Sequence, residues 1–548
     1  MTDPTADRAA DDTAGRPAGR PARPEPGTAP RRPRVRMTAE YDRDQYAPGG
    51  GPGAHEVSVH LEIRVEGLEA VVPRRAPQRS EVVIIDCSGS MAHPTLRKIA
   101  AARKAAAAAI GQLPDGTHFA LVAGTDTARL AYPTGDRLAD PAEPATVAAT
   151  NATREEGRRT ALTLDAHGGT RISAWLSLAH RLLAARPDAP FRHALLLTDG
   201  KDEHGRAGEL ERVLDSCAGE FTCDALGIGE DWDAEQLQRI ADRLHGRAEA
   251  VVADGAEEFE AQLTGLFREL VGASVRRTLP QLTLEVRTGR HLSVGLFRQL
   301  QPTVLDLTDT AVDEGDRVLF PTGAWGDEQR WYELRLRVDP GPSGGPGGPG
   351  GPGDPGGREP HTERIASLRL AARDFEEVAL PGEEHVTVRW TGEEPPLTDT
   401  GTVGWHFRHQ DELRDAIRAG ARALYQGRTA GAERELGKAV RLAYRLKDDA
   451  HLARLRNVVT VENTAMGKVT IRDDITPGRV QELVVLSRHT TPPPSGHAPS
   501  ADPPSGAARP VVCPRCLEKV RPARFCENCG HLLDGAPGST DGSGTEER

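Results

Sequence analysis

Two groups of side chains in this sequence have the types and spacing of chemical sites. The first begins at Asp86-Cys87-Ser88-Gly89-Ser90, where one carboxylate and two hydroxyls fall on alternate residues directly after an apolar run, so all three can converge on one point. The Thr170 hydroxyl, preceded by Gly168-Gly169, and the Asp199 carboxylate, in LLLTDG, join them if their loops end on the same edge. Two carboxylates and three hydroxyls are hard oxygen donors of low total charge that leave at least one coordination position open. Such a set suits Mg2+ or Mn2+. The second group is Cys513-Pro514-Arg515-Cys516 with Cys526-Glu527-Asn528-Cys529, two CxxC knuckles nine residues apart. Four thiolates at this spacing close a tetrahedral Zn2+ site with no position left for water. The expectation is a structural zinc ribbon that folds around its ion.

The elements around the first group explain how its pieces would meet. EVVIID, from Glu81 to Asp86, is a continuous apolar run, as expected of a central parallel strand buried on both faces. An Ala-rich helix is expected over 95–113, stopping at Pro114-Asp115-Gly116. Strands at 119–124, 194–198, 223–228 and 250–253 then alternate with helices at 171–185, 209–217, 234–244 and 256–270. Alternation of this kind implies right-handed crossovers and a doubly wound, mostly parallel α/β sheet of Rossmann-like character. All its parallel strands end on one edge, which brings Asp86, Thr170 and Asp199 together.

DCSGS, then GGT, then TDG on an α/β framework resembles the von Willebrand factor A domain and its metal-ion-dependent adhesion site. The resemblance covers about residues 80–272, and all five metal-site positions match. It implies that Ser88, Ser90 and Thr170 ligate the metal directly, that Asp86 and Asp199 act partly through water, and that an Asp or Glu of a partner protein completes the shell. One departure is the polar stretch from Leu138 to Asp165, longer than a minimal domain needs.

The rest of the chain reads as supporting units. Residues 1–54 are rich in Pro, Gly, Ala, Arg and Asp and are expected to be a disordered arm. The period-two strand of 55–79 (Val57, Val59, Leu61, Ile63, Val65) is expected to join a β-sandwich over 274–395, which carries a Gly/Pro insert at 341–357. A helical hairpin is expected within 405–487, a linker at 488–510, the ribbon at 511–533 and a polar tail at 534–548.

With 548 residues, 37% of them hydrophobic, the chain must form several folding units, and its formal charge of −12 argues against binding phosphate or an anionic membrane as a whole. A nucleic-acid role is left, at most, to the basic zinc ribbon. No apolar window reaches the length of a membrane span and no secretory h-region is visible, so the expected compartment is the cytoplasm. There is no GxxxxGK[ST], no GxSxG and no HExxH, and DCSGS has Ser88 where aspartate-nucleophile phosphatases have a second Asp. The expected function is metal-dependent protein binding without catalysis. Alternatives are a non-catalytic subunit of an AAA+ ATPase or of a kinase/phosphatase system, and, less favoured, a metal-dependent hydrolase.

Overall fold

The computed structural model describes residues 32–41, 44–46, 55–68, 78–92, 97–134, 145–203, 205–289, 292–338, 361–372, 375, 378–391, 403–494, 511–512 and 519–520. In chain order the first elements are β1 (Arg34–Glu40), β2 (Asp44–Tyr46), β3 (His55–Glu66), β4 (Arg79–Asp86), α1 (Lys98–Gly111), β5 (His118–Gly124), β6 (Ala128–Tyr132), β7 (Val147–Ala148), α2 (Asn151–Leu162) and α3 (Ile172–Ala184). They are followed by β8 (Phe191–Thr198), α4 (Glu209–Cys217), β9 (Thr222–Ile228), α5 (Ala234–Arg243), β10 (Ala248–Val251) and α6 (Ala256–Arg276).

Strands β4 to β10 form one mixed, mostly parallel sheet in the order β10-β9-β8-β4-β5-β6, with β7 also on β5. The pairs among β10, β9, β8, β4 and β5 are parallel, whereas β6 and β7 run antiparallel to β5. Alternate residues of β4 serve opposite faces. Val82 and Ile84 pack with Trp175, Leu176 and Trp232, while Val83 and Ile85 pack with the alanines of α1 and with Phe259 and Phe267 of α6. From β4 the chain moves to β5 on one side, and from β8 to β9 on the other. The carboxyl ends of β4 and β8 therefore lie at the topological switch point, where a crevice opens in sheets of this kind.

The remaining elements are β11 (Thr283–Thr288), β12 (Leu292–Gln301), β13 (Leu305–Asp306), β14 (Val312–Asp313), β15 (Val318–Pro321), β16 (Glu328–Val338), β17 (His361–Ala371), β18 (Glu384–Thr391), α7 (Val403–Tyr425), α8 (Thr429–Leu446), α9 (Asp449–Arg456), β19 (Val459–Asn463), β20 (Lys468–Ile471), α10 (Pro477–Leu486), β21 (Val511–Val512) and β22 (Lys519–Val520). Two sheets, β1-β3-β16-β12-β13 and β14-β15-β11-β17-β18-β2, share one hydrophobic cluster that includes Leu61, Ile63, Leu334, Leu284, Leu368 and Val388. Helices α7 to α9, the β19-β20 hairpin and α10 share another.

Two expectations change, those for the arm and for the linker, and two stretches hold more than expected. Residues 34–40, placed in the disordered arm, form β1, which pairs with β3 and buries Val35 and Met37; β2 likewise falls inside the expected arm. The alternation in RVRMTAE is too short to stand out from its Pro- and Arg-rich surroundings. Within the stretch 138–165, α2 forms behind a reciprocal Thr150/Thr153 cap and buries only Thr153, Gly157 and Ala161, so it carries no apolar stripe for periodicity to detect. The helical region holds more than a hairpin. Its α10 lies against the sheet domain, with Gln481 accepting from the Ala234 amide at 2.7 Å and donating to the Trp232 carbonyl at 2.6 Å. The expected linker begins bonded rather than free, since Thr490 donates through its amide to the Pro302 carbonyl at 3.0 Å and through its hydroxyl to that of Leu300 at 2.6 Å. The insert 341–357, most of the ribbon and the tail 534–548 lie outside the described residues.

Candidate metal site

Asp86 ends β4 and Asp199 follows β8, and the parallel pairing of Ile85 with Leu197 sets the two carboxylates side by side. Asp86 is held from both sides: its Oδ1 accepts from the Ser88 amide at 2.8 Å and its Oδ2 from the Thr198 hydroxyl at 2.7 Å. The Ser88 and Ser90 hydroxyl oxygens are 3.0 Å apart, and Ser90 donates to Asp199 Oδ1 at 2.7 Å. The loop carrying these serines is fastened to the one carrying Thr170, because the Gly89 amide donates to the Gly168 carbonyl at 2.9 Å and the His167 amide to that of Cys87 at 2.6 Å. Gly168 meets this closeness with φ +76, a left-handed conformation that favours glycine. Thr170 stands just before α3, and a Cβ built on Gly200 would lie 3.0 Å from its hydroxyl oxygen. All five residues singled out in the sequence thus meet at the ends of β4 and β8.

Burial and charge give the site its character. Asp86, Ser88, Thr170 and Asp199 are buried, while Ser90 is exposed, so the cluster opens to solvent on the Ser90 side. Burial, reinforced by the neighbouring Asp199 charge, pushes the Asp86 carboxyl up to about 6, although bonds from Ser88 and Thr198 pull the other way. The Cys87 thiol is pushed up to about 12 by burial, first, and by Asp86, which marks it as a packing residue and not a nucleophile.

Two participants were missed in the sequence. Thr198 orients Asp86, and Lys98 of α1 places its ammonium 2.7 Å from Asp199 Oδ2 with 5% of its side chain exposed. The signal for Lys98 lay in helical spacing. It falls in register with Ala102, Ala105 and Ala109 on the buried face of α1.

The donor set fits a small hard cation. An octahedral ion with oxygens about 2.0–2.1 Å away has neighbouring ligands roughly 2.9 Å apart. The Ser88–Ser90 spacing of 3.0 Å and the Ser90–Asp199 spacing of 2.7 Å bracket that edge. Among the described residues no three His, Cys, Asp or Glu side chains gather as a cation site; the donors at this edge are two carboxylates and three hydroxyls. The ribbon ligands Cys513, Cys516, Cys526 and Cys529 lie outside the described residues.

A Rossmann-like sheet carrying these loops at its switch point defines a von Willebrand factor type A domain, and the profile of that domain matches residues 80–250. The chain is 30% identical to a von Willebrand factor type A protein of known structure from Catenulispora acidiphila, with a TM-score of 0.68 over 84% of this chain and 98% of that one. It belongs to that family. The ArnB paralog VWA2 from Sulfolobus acidocaldarius is also similar, at 12% identity and a TM-score of 0.44 over 83% of this chain and 98% of the other. Among curated proteins it is 29% identical over 187 residues to the uncharacterized protein sll0103 of Synechocystis, a match covering 32% of this chain and 41% of that protein. Domains of this family commonly mediate protein–protein interaction and often bind a divalent metal ion. Among the described residues no helix is long and apolar enough to cross a membrane.

Proposed function

We propose that this chain is a metal-dependent protein-binding protein, an adaptor or scaffold whose site holds Mg2+ or Mn2+ and takes an Asp or Glu side chain of a partner protein. The observation that carries this reading is the convergence of Asp86, Ser88, Ser90, Thr170 and Asp199 at one sheet edge with Ser90 open to solvent. In this reading Ser88, Ser90 and Thr170 hold the ion, and Asp86 and Asp199 balance its charge. The bound ion supplies an electrophilic position for a carboxylate, because its direct ligands in this reading are neutral hydroxyls. Thr198 and the Ser88 amide fix Asp86, and the Gly168 turn fixes the approach of Thr170.

Binding rather than catalysis is favoured because in this reading both carboxylates at the sheet edge, Asp86 and Asp199, serve the ion, which leaves neither of them for a general base's work. The four cysteines at 513, 516, 526 and 529 are proposed to fold a ribbon around Zn2+, on the strength of their spacing. A reducing, cytoplasmic setting accords with the buried free thiols of Cys87, Cys217 and Cys223.

The test is affinity capture by the full chain in Mg2+ and in EDTA, with Asp86→Ala alongside. Proteins retained by the wild type in Mg2+ and lost in both other arms support the reading. Retention indifferent to EDTA and to the substitution contradicts it.

A further inference from the structure

Lys98 is out of place by ordinary rules. It opens α1, at the positive end of the helix dipole, where a cation is disfavoured, and it is buried. A buried ammonium is costly unless it is paired. Its partner is Asp199, fully buried, with Nζ 2.7 Å from Oδ2. The fold also makes room for the stem. Gly229, at φ +74, lies against it, and a Cβ there would stand 2.7 Å from Lys98 Cε and 2.9 Å from Nζ. The lysine is therefore built into the site from two sides, by a carboxylate at its head and a bare backbone along its length.

This placement bears on the ion. Asp199 offers two oxygens: Oδ1 receives the Ser90 hydroxyl and Oδ2 the ammonium. A divalent cation held at Ser90 and Asp199 meets the ammonium across a single carboxylate, so the two positive charges repel and draw on the same negative one.

We infer that the Lys98 ammonium is a tethered cation that competes with the divalent ion for Asp199, so that Lys98 sets the metal affinity of the site. The inference rests on the metal-site reading above. It also explains how a buried Asp199 keeps a counter-charge whether or not an ion is bound. With two carboxylates, one ammonium and one divalent ion, the loaded site carries one net positive charge, which an incoming carboxylate then neutralises. Lys98 thereby weakens the hold on the ion and strengthens the pull on an acidic ligand.

The experiment is Mn2+ titration of the full chain, read by the loss of free Mn2+ paramagnetic signal, for the wild type, Lys98→Met, Lys98→Gln and Ser88→Ala. Lys98→Met is expected to bind Mn2+ about ten- to a hundredfold more tightly than the wild type, the scale of one charge-assisted hydrogen bond. Lys98→Gln, which keeps a neutral donor to Asp199 and guards against misfolding of the Met variant, should fall between them. Without added ion, thermal stability should drop in Lys98→Met and recover with Mn2+ by more than the wild type gains. Equal affinities in the wild type and both Lys98 variants, all abolished by Ser88→Ala, overturn this inference and leave the metal-site reading standing. No Mn2+ binding in any variant, or binding unaffected by Ser88→Ala, overturns both.

Discussion

Replacing His193 by Gln should remove a pH-dependent share of the stability of the sheet domain. His193 lies on β8 toward the edge opposite the candidate metal site, buried between two carboxylates. Its Nδ1 is 2.7 Å from Glu81 Oε2 and its Nε2 is 3.2 Å from Asp224 Oδ2. Ser274 donates to the other Glu81 oxygen at 2.6 Å, and Arg79 donates to the Ser274 carbonyl at 3.0 Å, so the cluster also fastens the end of α6 where the chain leaves for the β-sheets beyond. Only an imidazolium can donate to both carboxylates at once. Burial pulls the His193 pKa down, but Glu81 and Asp224 outweigh it and hold the ring up to about 10, while the His193 charge draws Asp224 down despite its own burial.

A histidine whose folded pKa lies above its unfolded value near 6.5 contributes fully below that value and loses the contribution as pH rises toward about 10. Asp224, shifted the other way, contributes above about 3.9 and loses its share as pH falls. The full effect of the histidine shift is roughly 5 kcal/mol, at the upper end of the about 3–5 kcal/mol found on breaking buried ion pairs. Most of it, roughly 3–4 kcal/mol, should disappear between pH 6.5 and 9.5. Urea unfolding followed by tryptophan fluorescence, with Trp175 and Trp232 buried in this domain, should show that loss in the wild type and not in His193→Gln. The same slope in both proteins would refute the charged-histidine argument.

Further outcomes can be checked separately. Ion binding should weaken as pH falls through about 6, because a raised Asp86 must release its proton to serve the ion; an affinity flat from pH 7.5 to 5 would contradict this. Gly124→Ala should cost about 1–3 kcal/mol in urea unfolding through overpacking, since a Cβ there would stand 2.4 Å from the Trp175 ring, and an unchanged midpoint would count against the packing described. Purified chain should carry about one equivalent of zinc, lost in Cys513→Ser with Cys526→Ser, as read by elemental analysis.

Much of this organisation is legible in the sequence because strong local patterns coincide with tertiary roles. EVVIID is apolar at every position but its ends, which only a strand covered on both faces requires, and its abrupt change to CSGS marks the loop. The five site residues could be singled out because every parallel strand of such a sheet ends on one edge. What escaped was set by partners distant in sequence. Spacing puts Lys98 on the buried face of α1, but its role shows only once Asp199, 101 positions away, supplies its counter-charge. Helix α2 hides because its buried face is Thr153, Gly157 and Ala161, with Gly157 chosen for closeness to the Phe119 ring. Residues 34–40 gain order from distant partners, pairing with β3 and bonding to Ala379, and α10 finds its seat on the sheet domain through Val480, Val484, Val485 and Leu486 together with Gln481 and Gln238 bonds that periodicity does not weigh.

The central claim is that Asp86, Ser88, Ser90, Thr170 and Asp199 together hold one divalent ion. Isothermal titration of the full chain with Mg2+ and Mn2+, beside Ser88→Ala and Thr170→Ala, tests it most directly. One site per chain is expected, lost in each variant while circular dichroism and melting temperature stay close to the wild type, because these loop hydroxyls contribute little to the core. Undiminished binding in both folded variants, or no binding by the wild type and by Lys98→Met alike, would contradict it.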